Sequence, residues 1–407
     1  MADFYQHGAI TTLHDLETVD GQHVERLLRD CADDTGIGLV LPVTAADMRA
    51  EAFRRIVDQL READYIDQIV VVLGVAPDCQ DYRDTQAIVR NLGTRAQVLW
   101  TDGERVQGLY EELRAAGFRL ETPGKGRSVW TAFGYLLADP RIKAFALHDC
   151  DIVNYTPIML ARLCLPMVHP SLDFDFCKAY YARVTDRMHG RVVRLLVAPL
   201  LDALLATVGN DPFLSYLASF RYPLAGEFAV TATLARSNRM PSDWGLEVGT
   251  LAEVFRNTSV KRVCQVELCR SYEHKHQPLS LDDPSKGLSR MATDILTTIF
   301  RTLASQGQVF PPGHFATLRS AYVRFAQDAI RKYYADALMN GVALDRHAEE
   351  QAVEAFAKQI VVAGDTFQQD PAGGEAISNW ARVLAACPDF PHRLRQAATA
   401  DAEQHGP

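Results

Sequence analysis

Short apolar runs alternate with longer stretches of mixed polarity over the first 150 residues. GIGLVLPV (Gly36 to Val43), QIVVVLG (Gln68 to Gly74), AQVLWTD (Ala96 to Asp102) and KAFALHDCDI (Lys143 to Ile152) have strand length and little polar alternation, the mark of buried strands. Between them MRAEAFRRIVDQLREAD, ERVQGLYEELRAAG and RSVWTAFGYLLAD read as helices. Strands alternating with helices of about ten to fifteen residues predict βαβ units and a mostly parallel sheet. Right-handed crossovers then give an α/β, Rossmann-like layered domain. Residues 1 to about 35 are polar and mixed, an expected N-terminal arm and helix.

From Asp173 onward the pattern changes. DFCKAYYARV reads as a strand that leaves the parallel series, and VKRVCQVELCRSYEH as another. Between them, LLVAPLLDALLATVG (Leu195 to Gly209) carries Pro199 and Asp202 and is too short to span a bilayer, so it reads as a buried helix. Beyond Pro284 the chain turns helical. Met291, Ile295, Ile299 and Leu303 recur at four-residue steps, a face meant for packing. Similar faces run from Leu318 to Met339 and from His347 to Val362, and PDFPHRLRQAATADAEQHGP reads as a loose tail. The expected organisation is a main domain over 1–284, with halves at about 36–152 and 153–284, followed by a helical C-terminal extension over 285–407.

Composition narrows the function. The 407 residues are 48% hydrophobic and 23% charged, as in an ordinary globular protein. A formal net charge of -9 argues against broad contact with nucleic acid, which needs a surplus of Lys and Arg. The N-terminus has neither a basic start nor an apolar core, so no secretory signal and no membrane segment are expected. Eight cysteines lie at irregular spacings with no CxxC, which favours reduced thiols in the cytoplasm over disulfides or zinc.

Five short motifs carry candidate chemistry. In HDCDIVN, Asp149 and Asp151 follow an apolar strand; alternation puts both on one face with Cys150 turned away. Carboxylates at the carboxyl end of an α/β strand suit Mg²⁺ or Mn²⁺ held jointly with a substrate diphosphate. A strand-end Asp is also common for turn reasons alone. GKGRSVW opens a helix, where Lys125 and free backbone N–H groups favour an anion; it is neither GxGxxG nor a Walker loop. In SYEHKHQPLS, His274 and His276 alternate at a strand end, as metal ligands or as surface polar groups. Glu247 of WGLEVGTL stands in a first helical turn, where an acid complements the dipole. In HGRVVRLL, Arg191 and Arg194 near Gly190 form a plausible anion grip, against the commoner surface arginine.

Taken in order, LVLPV, GKGRSVWTAF, HDCDIVN, HGRVVRLLVAPLL, YPLAGEFA, WGLEVGTL and EHKHQPL, spread over Gly36 to Leu279, resemble the glucosyl-3-phosphoglycerate synthases, with the mannosylglycerate synthases as more distant relatives. These are retaining glycosyltransferases of the GT-A fold. The resemblance implies a metal-dependent, often homodimeric enzyme that moves glucose from a nucleotide-diphosphate sugar, UDP-glucose, to the small anionic acceptor 3-phosphoglycerate. By motif, Pro42, Val43, Thr44 and Gly74 would border the nucleotide, Lys125 would contact it, and Asp149 would approach the ribose or sugar. Asp151 and His274 would hold Mg²⁺ or Mn²⁺. Gly226 and Glu227 would line the sugar site, with Glu247 bonding sugar hydroxyls. Gly190, Arg191 and His276 would face the acceptor.

The chain departs from the family pattern at three places: Thr44, Ala45 and Ala46 precede the first carboxylate, Asp47; Val193 replaces a Thr; and His276 replaces an Asn. D-glycerate therefore stands beside 3-phosphoglycerate as an acceptor, and GDP-mannose beside UDP-glucose as a donor. Two rival readings are a sugar-phosphate nucleotidyltransferase, whose Gly-rich signature LPVTAADM lacks, and a nucleotide-binding protein without turnover.

Overall fold

Apolar runs of strand length assemble into one sheet. Its strands are β1 (Thr11–Leu13), β2 (Gly36–Thr44), β3 (Gln68–Gly74), β4 (Ala96–Trp100), β5 (Ile142–Leu147), β6 (Phe176–Tyr181), β7 (Phe228–Thr231) and β8 (Val263–Cys269). The computed structural model describes residues 6, 8–17, 20–32, 35–242, 245–273, 287–373 and 376–406. The strand order is β1-β8-β6-β7-β5-β2-β3-β4. Leu39 to Leu41 and Ile69 to Leu73 have no exposed surface. Alternate residues enter different cores: Val40, Val70 and Val72 join one cluster, Leu39, Leu41, Ile69 and Val71 the other. A sheet covered on both faces is why these strands read as continuous rather than alternating apolar runs.

The sequence expectation for β6 is corrected. It runs parallel to β8, and the antiparallel member is β7, which pairs with β5 on one side and β6 on the other. β6 leaves one place open beside β5, and the four-residue β7 returns through the gap.

The predicted helical faces at the C-terminal end form helices Gly287–Ser305, His314–Asn340 and Arg346–Gln369. Ile295, Ile299 and Leu303, with Phe356 and Ile360, belong to the same cluster as Phe145 and Leu196 beside the sheet. The segment expected to be a loose tail is instead the helix Phe390–His405. Phe390, Leu394, Ala397 and Ala398 recur along one helix face and are buried, and Pro391 sits in its first turn, where a missing N–H costs nothing. The helix packs on Glu104–Ala115, on Lys125–Leu137 and on β4. Before it, Trp380 stacks on Trp130 with centroids 4.2 Å apart, and its Nε1 donates to the Trp130 carbonyl at 2.9 Å. Gly134 is required there, because a Cβ would fall inside the Trp380 ring. Among the described residues no helix is long and apolar enough to cross a membrane.

Candidate active site

The carboxyl ends of β2, β3, β5, β6 and β8 and the amino end of the reversed β7 lie along one edge of the sheet. A cavity of about 1100 Å³ opens there. β5 ends at Leu147, so Asp149, Cys150 and Asp151 lie in the loop beyond it, outside the strand alternation used to pair the two carboxylates. Both nevertheless border the cavity while Cys150 is buried.

Lys125, the first residue of helix Lys125–Leu137, ties this wall together. Its Nζ is 2.6 Å from Asp149 Oδ1 and 3.5 Å from Glu247 Oε1. Glu247 comes from the first turn of helix Leu246–Asn257, so two helix N-termini converge on the same pair of carboxylates. Desolvation pulls the Lys125 ammonium pKa down, but Asp149 and Glu247 outweigh it and hold the group above its ordinary range, charged. Asp149 reaches this position by lying flat on Gly226, where any Cβ would overlap its carboxylate.

The neighbouring Glu227 does not line the cavity, contrary to the expectation drawn from its motif. It has no exposed surface. Tyr181 donates to one oxygen at 2.8 Å and Tyr272 donates to the other. The two tyrosine rings stack at 3.8 Å. Burial, reinforced by Asp149, raises the Glu227 pKa against the pull of the two hydroxyls. Deeper still, Lys178 of β6 is fully buried and donates to the Ala225 carbonyl at 2.5 Å. Burial lowers its pKa to about 8, against the raising effect of Glu247 and Glu227.

Pro42, Val43, Thr44 and Gly74 stand at the same sheet edge but off the cavity wall. Thr44 is committed to its own helix: its Oγ1 accepts from the Asp47 N–H at 3.2 Å and donates to Asp47 Oδ2 at 2.6 Å.

Gly190 and Arg191 border the cavity, and Arg183 and Arg187 join them. Arg191 is not loose. Its Nε donates to Glu349 Oε1 at 2.7 Å, and Arg194 Nη1 donates to Glu349 Oε2 at 2.9 Å. Glu349 is buried in helix Arg346–Gln369, so the C-terminal helices contribute to this wall. The Arg191 terminal nitrogens have no hydrogen-bond partner among the described residues. Nothing local in the sequence marks Glu349, one of several acids in a polar helix.

His274 and His276 lie outside the described residues. Their flank is defined: the Glu273 carbonyl accepts from the Val153 N–H at 2.8 Å, which joins the chain before His274 to the chain after Asp151. Glu273 and Asp151 border the same cavity. Among the described residues no three His, Cys, Asp or Glu side chains converge on one point. The oxygen donors on this rim fit a hard cation that takes its remaining ligands from substrate phosphates and water, the habit of Mg²⁺ and Mn²⁺.

No family model matches the chain. A glucosyl-3-phosphoglycerate synthase of Persephonella marina is 45% identical to it over 401 residues, 98% of this chain and 99% of that protein. One of Methanococcoides burtonii is 38% identical over 408 residues, 99% of each. Among solved structures, mannosyl-3-phosphoglycerate synthase from Rubrobacter xylanophilus superposes with a TM-score of 0.55 at 24% identity, covering 74% of this chain and 84% of that one. Glucosyl-3-phosphoglycerate synthase from Mycobacterium tuberculosis, in complex with Mg²⁺ and UDP, gives 0.52 at 22%, covering 75% and 89%. The fold expected from the sequence, a GT-A-like α/β domain, is the fold these structures share.

Proposed function

This chain belongs to the glucosyl-3-phosphoglycerate synthase family of glycosyltransferases, and from that premise we propose that it transfers glucose from UDP-glucose to 3-phosphoglycerate with retention at the anomeric carbon. The observation that carries the reading is the Lys125 ammonium held charged between Asp149 and Glu247, across one cavity from the free end of Arg191. A diphosphate donor and an anionic acceptor need a cation on each wall, and the cavity supplies both. The Mycobacterium tuberculosis relative has been crystallised with Mn²⁺, UDP-glucose and phosphoglyceric acid together, which supports the same pair of substrates here.

In this reading Asp151 and His274 would hold Mg²⁺ or Mn²⁺, which would supply positive charge to a departing diphosphate. Lys125 bonds the leaving oxygen from its fixed place, with no reorganisation at the moment of cleavage. Glu247 binds sugar hydroxyls, and Asp149 stands against the sugar with Gly226 beneath it. Gly190 and Arg191 orient the acceptor phosphate. Asp149 and Glu247 share Lys125, and Glu227 is sealed by two tyrosines, so none of these three is poised as a nucleophile. We therefore favour attack on the face the diphosphate leaves, with a diphosphate oxygen taking the acceptor proton.

The test is UDP release from UDP-glucose with Mn²⁺ and either 3-phosphoglycerate or D-glycerate, repeated with GDP-mannose. Release with UDP-glucose and 3-phosphoglycerate is expected, together with its loss in Asp151→Ala. Turnover only with GDP-mannose, or pyrophosphate-linked products instead of UDP, would overturn the reading.

A further inference from the structure

Two loops leave the sheet side by side, one after β5 with Asp151 and one after β8 that leads through Ser271, Tyr272 and Glu273 to His274. A single side chain clasps them. Asn154 Nδ2 donates to the Ser271 carbonyl at 2.7 Å, and its Oδ1 accepts from the Glu273 N–H at 3.2 Å. An amide that donates and accepts at once matches two peptide groups, as a neighbouring strand would. The backbone adds a third bond from Val153 N–H to the Glu273 carbonyl at 2.8 Å.

The opposite side of this segment is fixed to the sheet. The Tyr272 N–H donates to the Ala182 carbonyl at 2.9 Å, and the Tyr272 hydroxyl donates to buried Glu227. The segment is thus anchored by residues just past β6 and just before β7, and its register against the Asp151 loop is set by Asn154. Asn154 itself is exposed and does not border the cavity.

We propose that Asn154 is a positioning residue that holds the Asp151 loop and the segment ending at Glu273 in the register needed for joint cation binding. The inference rests on Asp151 and His274 being the holders of the ion. Residues that orient metal ligands without touching the metal alter its affinity by about 10- to 100-fold. An exposed amide contributes little to global stability by comparison. Asn154 therefore acts on metal affinity well out of proportion to its effect on folding.

The experiment titrates Mn²⁺ into the full chain with saturating UDP, following free Mn²⁺ by electron paramagnetic resonance, for the unaltered protein, Asn154→Ala and Asn154→Asp. Asn154→Ala is expected to weaken Mn²⁺ binding about tenfold, with the metal-free melting temperature nearly unchanged. At saturating Mn²⁺ its kcat is expected to stay within about twofold, because the loaded site is the same. Asn154→Asp keeps the acceptor for Glu273 but replaces the donor to the Ser271 carbonyl by a carboxylate oxygen, so its affinity is also expected to fall below that of the unaltered protein. It carries the comparison if the alanine protein does not fold. Equal Mn²⁺ affinity in all three overturns the role of Asn154 alone. The absence of saturable binding in the unaltered protein overturns it together with the metal reading beneath it.

Discussion

His148 sits just past β5 with no exposed surface and with neither ring nitrogen hydrogen-bonded among the described residues; the Tyr155 ring lies edge-on at 5.6 Å. Burial lowers its pKa from 6.5 to about 4, with Asp149 only partly opposing. As pH falls below about 6.5 the unfolded chain takes up a proton that the folded chain refuses, so stability present at neutral pH drains away until about pH 4. The full loss from this residue is about 3 kcal/mol. His148→Phe, which cannot titrate, should therefore lose less stability between pH 7 and pH 4.5 than the unaltered protein does, read as the shift in urea midpoint. Equal shifts would mean that this histidine is not the source. A second motif shows what sequence leaves undecided. Gly226 and Glu227 are adjacent in YPLAGEFA, yet one lies under Asp149 and the other is sealed by two tyrosines. Which of two neighbours faces a cavity depends on where the next strand begins, and β7, only four residues long, does not announce itself.

At the level of whole elements, apolar continuity gave away β2 to β5 because both faces of that half-sheet are covered, but strand direction is a property of connection order and not of composition. That is why β6 reads as leaving the parallel series when β7 is the strand that reverses. The C-terminal helix was hidden for a related reason: its buried apolar residues are spaced correctly but diluted by charge, and the helices they pack on lie far earlier in the chain. The junction beside it makes a specific prediction. A glycine inside a helix ordinarily gains about 1 kcal/mol on replacement by alanine. Gly134 should do the reverse, since its new methyl would occupy the Trp380 ring and part the Trp130–Trp380 stack. Overpacking of this kind costs about 1–3 kcal/mol. Gly134→Ala should melt lower and shift the tryptophan emission; a higher melting temperature would refute the packing described here.

On the scale of the molecule, the question is whether the C-terminal helices merely append to the catalytic fold or complete it. Glu349 gives the means to decide. It bonds Arg191 on the cavity wall and Arg194 behind it, and Arg194 also lies over the Tyr333 ring at 4.9 Å and donates from Nε to the His189 carbonyl at 2.8 Å. Ring and carboxylate come from helices beyond residue 313, while the arginines come from the π-helix Val192–Val197 before the buried helix Ala198–Val208, Arg191 as its cap and Arg194 within it. Removing one partner of a buried ion pair leaves an uncompensated charge, so Glu349→Ala should cost about 3 kcal/mol. Replacing Arg194 by methionine at the same time removes the more buried of the two stranded charges and keeps most of the volume. The double variant Arg194→Met, Glu349→Ala should then lose clearly less than the sum of the two single losses, in a urea double-mutant cycle. On the proposed function, UDP affinity should be unmoved throughout, because Lys125, Asp149 and Glu247 share no side chain with this pair. Strict additivity would mean that the helices touch the Arg191 wall of the cavity without supporting it; coupling with intact UDP binding would make them part of the folding unit that holds that wall.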